Sequence, residues 1–247
     1  MSVFTALAHE GKWLFRNQRS VVLIAAMVLG VDVALGLIHV VVMVGWDAPN
    51  VLRVDMDGSY GEAYQYVKYL WVVVLLAMFA VARRSWSVAA WIPLFLYFFV
   101  DDAFMVHEVV GFVYAMQPWA FGIGPVGPQT LGELAVSGVA LLVFATPIVI
   151  AYLRADARTR LIHRTIALLV ATLLVFAVLV DIVHSFFLDI RLIDRSLGFV
   201  EDSGEMVVLS LVVIYLVRIN VDAKHLPAAA PEPIRRSRRT QPAFGAS

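Results

Sequence analysis

The chain has 247 residues, 61% hydrophobic and 15% charged, with a formal net charge of +0 and no cysteine. Soluble domains are about 45–50% apolar and about 25% charged, so this composition, with mean hydropathy +0.84, excludes a soluble globule and implies an integral membrane protein. The missing cysteine excludes disulfides and thiolate metal sites, and a neutral chain gives little electrostatic basis for binding nucleic acid.

Residues 1–20 alternate Phe4, Leu7, Trp13 and Leu14 with Lys12, Arg16 and Arg19, as expected of an amphipathic segment lying on the membrane surface. No cleavable signal peptide is expected, because the apolar run that follows is too long for one. That run, about 21–44, is the first predicted span, with Asp32 and His39 two helical turns apart on one face. A polar loop with Asp47, Asp55 and Asp57 leads to Glu62 and Lys68 at the start of a second span, about 66–81. A third span begins near Ser87, carries Pro93 as the expected kink, and runs through Asp101-Asp102 to His107-Glu108. A Gly/Pro-rich loop precedes the fourth span, about 131–153, with Glu133 at its start. The fifth span, about 166–188, ends on Asp181 and His184. After a short loop, 189–200, the sixth span opens with Glu201-Asp202-Ser203-Gly204-Glu205 and runs to 219. The remainder, 220–247, is a basic tail whose Pro/Ala-rich composition predicts disorder. Long apolar runs that cross a bilayer are helical, so the expected fold is an all-α bundle of about six transmembrane helices, residues 21–219.

Basic residues set the expected orientation. Lys12, Arg16, Arg19, Arg83, Arg84, Arg154, Arg158, Arg160, Arg164, Arg218 and Lys224 fall on one side with the tail arginines. Both termini are therefore expected to be cytoplasmic, in the inner membrane if the cell has two. On that map the ionisable groups of every span converge beneath the opposite, non-cytoplasmic surface. His39, Glu62, Asp101, His107, Glu108, Glu133, Asp181, His184, Glu201 and Glu205 all fall in this layer.

Crowded carboxylates in a partly dry layer cannot all ionise without a partner. They must bind a cation, share protons or open to water. Carboxylates and imidazoles from several helices are how bundle metal sites are built, often with a Glu-x-x-His element, and Asp181-Ile-Val-His184 has that spacing. Asp101, Glu108, Asp181, His184 and Glu205 are therefore the expected metal ligands, and His107 and Glu201 are expected to act as further ligands or as general bases. Without thiolates, Zn or Fe is the divalent metal this donor set suggests. Such a centre could activate water or oxygen towards a lipid-like substrate. Two other functions fit the same acids: a proton- or cation-coupled transporter, with Asp32 extending the layer inward, or a non-catalytic subunit of a membrane complex.

Simpler roles compete at several positions. Acids at helix starts, here Glu62, Glu133, Glu201 and Asp202, are favoured by the helix dipole alone. His39 and Asp32 read as hydrogen-bonded bundle residues, and Lys68 as a side chain able to snorkel outward. There is no Gly-x-Ser-x-Gly elbow, HExxH, Walker loop or GxGxxG, and the last predicted helix has no lysine for a retinal Schiff base.

Asp101-Asp102-x4-His107-Glu108 ending one helix and Glu201-Asp202-x2-Glu205-Met206 opening the last resemble a group of uncharacterised bacterial multi-pass membrane proteins. The resemblance covers the third to sixth spans, with Asp202 in place of a second Glu. It implies the fold and no established activity. Intramembrane zinc hydrolases such as the ceramidase and adiponectin-receptor families are similar in principle, but their histidine pattern does not match this chain.

Overall fold

A computed structural model describes residues 18–45, 48–124, 126–187 and 189–225. Asp47, most of the expected N-terminal surface segment and all but the first residues of the expected tail lie outside them. The described chain is an all-α bundle, and none of its residues form a β-strand.

The helices are α1 (Arg19–Val44), α2 (Tyr60–Arg83), α3 (Ile92–Phe104), α4 (Val106–Ala115), α5 (Pro128–Arg154), α6 (Ala157–Leu174), α7 (Asp181–Ser185) and α8 (Arg191–His225). Short 3₁₀ turns cover Asn50–Leu52 and Val88–Trp91, and a π-helical stretch, Val175–Val180, joins α6 to α7. Five continuous helices are long and apolar enough to cross a membrane, and the bent α3–α4 pair brings the number to six if it is one span.

The bundle is built around α8. Its residues Leu209, Val212, Val213, Leu216 and Ile219 are buried, as are Val208, Ile214 and Tyr215 on its other sides. A helix buried on several sides along its apolar half, as α8 is from Val208 to Ile219, belongs at the centre of a bundle. Helix α2 packs on it through Tyr69, Val72, Leu76 and Phe79, and α6 through Ile162, Ile166 and Val170. Helix α1 closes a smaller contact through Val21 and Ala25 against Ile214. Helix α5 packs instead along α4, where Gly132 lets two backbones meet: a Cβ there would lie 2.8 Å from Gly111 Cα.

Four expectations are corrected. The last helix begins at Arg191, so 189–200 is mostly not a loop but the first turns of α8. It also runs past 219 to His225, and Asn220 anchors this extension by donating to the Leu75 and Leu216 carbonyls. Pro93 does not kink its span; it sits in the first turn of α3, where proline costs no hydrogen bond. The 62° bend comes at Met105, whose left-handed backbone (φ 51°) ends α3 and starts α4. Lys68 does not snorkel; it is 0% exposed and held by the partners described below.

Candidate functional site: an acidic cavity at one end of the bundle

At the end of the bundle away from Arg83, Arg84, Arg154 and Arg158 lies a cavity of about 800 Å³. Its walls come from the 54–57 loop, α2, α3, α4, α5, the π-helical stretch and α8. Eleven carboxylates line it: Asp55, Asp57, Glu62, Asp101, Asp102, Glu108, Glu133, Asp181, Glu201, Asp202 and Glu205. Among the described lining residues there is one imidazole, His107, and neither lysine nor arginine. The convergence expected from the sequence is thus present as a physical space.

Local irregularities aim several of these groups. The break at Met105 leaves the first turn of α4 with unpaired amides, and Asp101 caps it from across the break. One Asp101 oxygen accepts the His107 backbone N–H at 3.0 Å, and the other lies 3.0 Å from His107 Nδ1. Asp101 and Glu108 do not share a face of one helix, as continuous periodicity would have it, because they stand on opposite sides of the bend. Glu62 lies in the first turn of α2, whose N-cap Ser59 accepts the Glu62 N–H. Its carboxylate accepts from the Gly58 N–H and the Tyr66 hydroxyl. Here the helix-start reading of Glu62 holds, and the same residue also lines the cavity.

Asp181 follows the π-helical stretch directly, and such stretches interrupt helices where a side chain is re-aimed. Opposite it, α8 carries Gly204. A Cβ at that position would lie 2.2 Å from the Phe176 ring, so only glycine lets α8 and the π-helical turn come this close. Glu201, Asp202 and Glu205 sit three turns and more into α8, not at its start. The helix dipole, strongest in the first turn, therefore does not account for them.

His184 lies behind the cavity wall. Its Nδ1 is 3.1 Å from Glu201 and its Nε2 3.0 Å from Asp194, so both ring nitrogens are already engaged by carboxylates. Asp181 lines the cavity while His184 does not, and the i, i+3 pair is divided between cavity and wall. Of the expected ligands the cavity therefore gathers Asp101, Glu108, Asp181 and Glu205, together with the expected bases His107 and Glu201. Among the described residues no three His, Asp or Glu side chains are placed to hold one metal ion.

Two further partners stand at the rim. Arg53 grips Asp55 with two hydrogen bonds, 2.9 and 2.6 Å, and this bonding raises the guanidinium above its ordinary value. His39 is a packed bundle residue, as expected: its Nδ1 accepts the Val54 N–H at 3.1 Å, and Phe199 stacks on it at 4.7 Å. Sequence reasoning passed over Asp194 as a loop residue. It precedes Glu201 by seven positions, two helical turns, and that spacing would have revealed it had α8 been extended backwards.

Beneath the cavity lies a different assembly. Lys68 (0% exposed) meets Asp32 (3% exposed) at 3.0 Å. The ammonium also donates to the Met206 carbonyl at 2.6 Å and to Ser210 at 3.1 Å, and lies 4.4 Å from the centre of the Tyr64 ring. Ser210 donates in turn to the second Asp32 oxygen at 2.5 Å. All three ammonium protons are satisfied, and the cluster ties α1, α2 and α8 together. Met206 connects it to the cavity, since it also lines that space.

No curated protein and no solved structure matches the chain. A family model matches residues 21–219, the whole helical region from α1 almost to the end of α8. The chain therefore belongs to the family described as a domain of unknown function, DUF8692.

Proposed function

We propose that this membrane protein binds a cation in the acidic cavity. The observation that carries the reading is the lining: eleven carboxylates against one imidazole, with no lysine or arginine among the described lining residues. Three of those acids have cationic or imidazole partners, Asp55 with Arg53, Asp101 with His107 and Glu201 with His184. The others gain most from a positive occupant. The basic residues at the other end support a non-cytoplasmic side for the cavity, by the positive-inside rule.

A divalent metal such as Zn or Fe is one chemistry of occupant. Asp101, Glu108, Asp181 and Glu205 would hold it through water or after small side-chain movements, and His107 and Glu201 would take protons beside it. When bound, such an ion supplies Lewis acidity and lowers the pKa of bound water. An organic ammonium is the other chemistry. Elemental analysis of the gently purified protein, with Asp181→Ala and Glu205→Ala beside it, decides between them. In parallel, Tm in nanodiscs is expected to rise with the concentration of Zn²⁺, Mn²⁺ or tetramethylammonium. A Tm indifferent to all of them, in protein that carries no metal, would retire the cation reading.

Coupled transport has the Asp32–Lys68 cluster in its favour as an inward continuation. Against it stands the saturation of that cluster and the apolar core beyond it, Val72, Leu76, Leu209 and Val213. Liposome cation flux abolished by Asp32→Asn would reverse this order of preference.

A further inference from the structure

We infer that the cation taken by the cavity is the head group of an amphiphile, whose hydrocarbon chain lies between α5 and α6. This rests on the cation reading above and names the class of its ligand. A volume of about 800 Å³ falls within the range of about 300–1,000 Å³ for organic ligands. It is many times the roughly 30 Å³ share of a single water, so a bare ion would leave most of the space unused.

The cavity also has two chemically distinct ends. Asp102, Asp202 and Glu205 mark one, with Tyr69 also lining the cavity. From Ser137 to Leu141 on α5, and from Ala171 to Leu179 opposite, the lining contains no ionisable residue. Leu141, Val175 and Leu179 line this end and are still 42%, 44% and 56% exposed, so its wall is also surface that meets the lipid. The opening arises because α5 packs along α4 and makes only slight contact with α6. Gly138 lies in this slot with nothing within 4 Å of where a Cβ would stand, so the slot is unfilled there.

Charge selects the head group. A phosphate would face the carboxylates at the acidic end, so phospholipids are disfavoured even where they carry a choline. A long-chain amine or quaternary ammonium satisfies both ends at once. Entry from the side, tail in the slot and head among the acids, requires no path through water.

The test uses the full chain in phosphatidylcholine nanodiscs and a hexadecylamine bearing a diazirine on its chain. Irradiation is expected to place adducts on α5 and on the 171–179 stretch. Dodecyltrimethylammonium should suppress them at least tenfold more effectively than tetramethylammonium, and dodecylphosphocholine should compete poorly. Gly138→Leu fills the slot and should cut labelling at least fivefold, while leaving the Tm rise with tetramethylammonium unchanged. Gly138→Ala, a smaller change, checks that any loss is not general unfolding, and Asp202→Asn should lower labelling from the head-group end. If tetramethylammonium still raises Tm but labelling ignores Gly138→Leu, or dodecylphosphocholine competes equally, the amphiphile is wrong and the cation site stands. If no cation raises Tm and nothing labels, both fall together.

Discussion

Two collections of buried charge lie within about two helical turns of one another, and they are built on opposite principles. In the Asp32–Lys68–Ser210 cluster every charge has its counter-charge and every donor its acceptor. In the cavity next to it, carboxylates outnumber their partners several-fold. The first arrangement is complete without anything else and ties three helices together. The second is incomplete by itself. Buried charge in a membrane protein is therefore read by its completeness: a set with all its partners is structural, and a set short of partners is where the proposed cation would supply the missing charge.

The largest effect is expected where the closed cluster is broken. Lys68→Met leaves Asp32 buried with only Ser210 beside it, and should cost about 3–5 kcal/mol, as removal of one partner of a buried pair does. Adding Asp32→Asn to the same chain should recover much of the lost Tm. Failure of that rescue would mean that Lys68 matters for packing rather than charge.

Next comes the contact that shapes the cavity wall. Gly204→Ala drives a methyl group into the Phe176 ring and should cost about 1–3 kcal/mol, as overpacking does. Because the clash is with one ring, Phe176→Ala should relieve it in a double-mutant cycle. Additive losses would show that the close approach does not depend on that ring.

A carboxylate in water provides the reference for both regions. Asp156 caps α6 by accepting the Thr159 N–H at 2.8 Å, and this bond holds its carboxyl below the ordinary value. Asp156→Ala should cost about 1 kcal/mol at neutral pH. A depressed folded-state pKa stabilises above the unfolded value and loses that contribution as pH falls through the folded one. Thermal melts of the two chains should therefore converge below about pH 4, the ordinary carboxylate value.

The smallest change in stability, and the sharpest contrast, is expected in the cavity. Glu205→Gln removes one of many like charges and relieves their repulsion, so the unliganded protein should melt no lower than wild type. What it should lose is part of the Tm rise that added cation brings. A large drop in Tm without cation would place Glu205 among the structural charges and erase the distinction between the two regions.

Much of this was legible in the residues. The span positions followed from hydropathy, because a bilayer tolerates only long apolar helices. The gathering of acids at one end followed from the alternation of helix direction, which carries Asp101, Glu133, Asp181 and Glu205 to one layer. The partners were less legible. Asp101 reads as a ligand by residue type, yet it caps a helix, because the chain breaks at Met105 and no proline or glycine marks that break. His184 reads as a ligand by its spacing from Asp181, yet it is enclosed by Asp194 and Glu201 from a helix whose true start lies ten residues upstream of its expected one.

The order of polar and apolar residues alone determined that this is a helical membrane protein with acids at one end, since burial in hydrocarbon acts on each segment separately. Which charges are paired and which stand open was decided only in three dimensions. The partner of Asp32 is thirty-six positions away at Lys68, and Ser210, which closes the cluster, is 178 positions away. Local sequence carries no information about such pairs, because they exist only when α1, α2 and α8 are packed together.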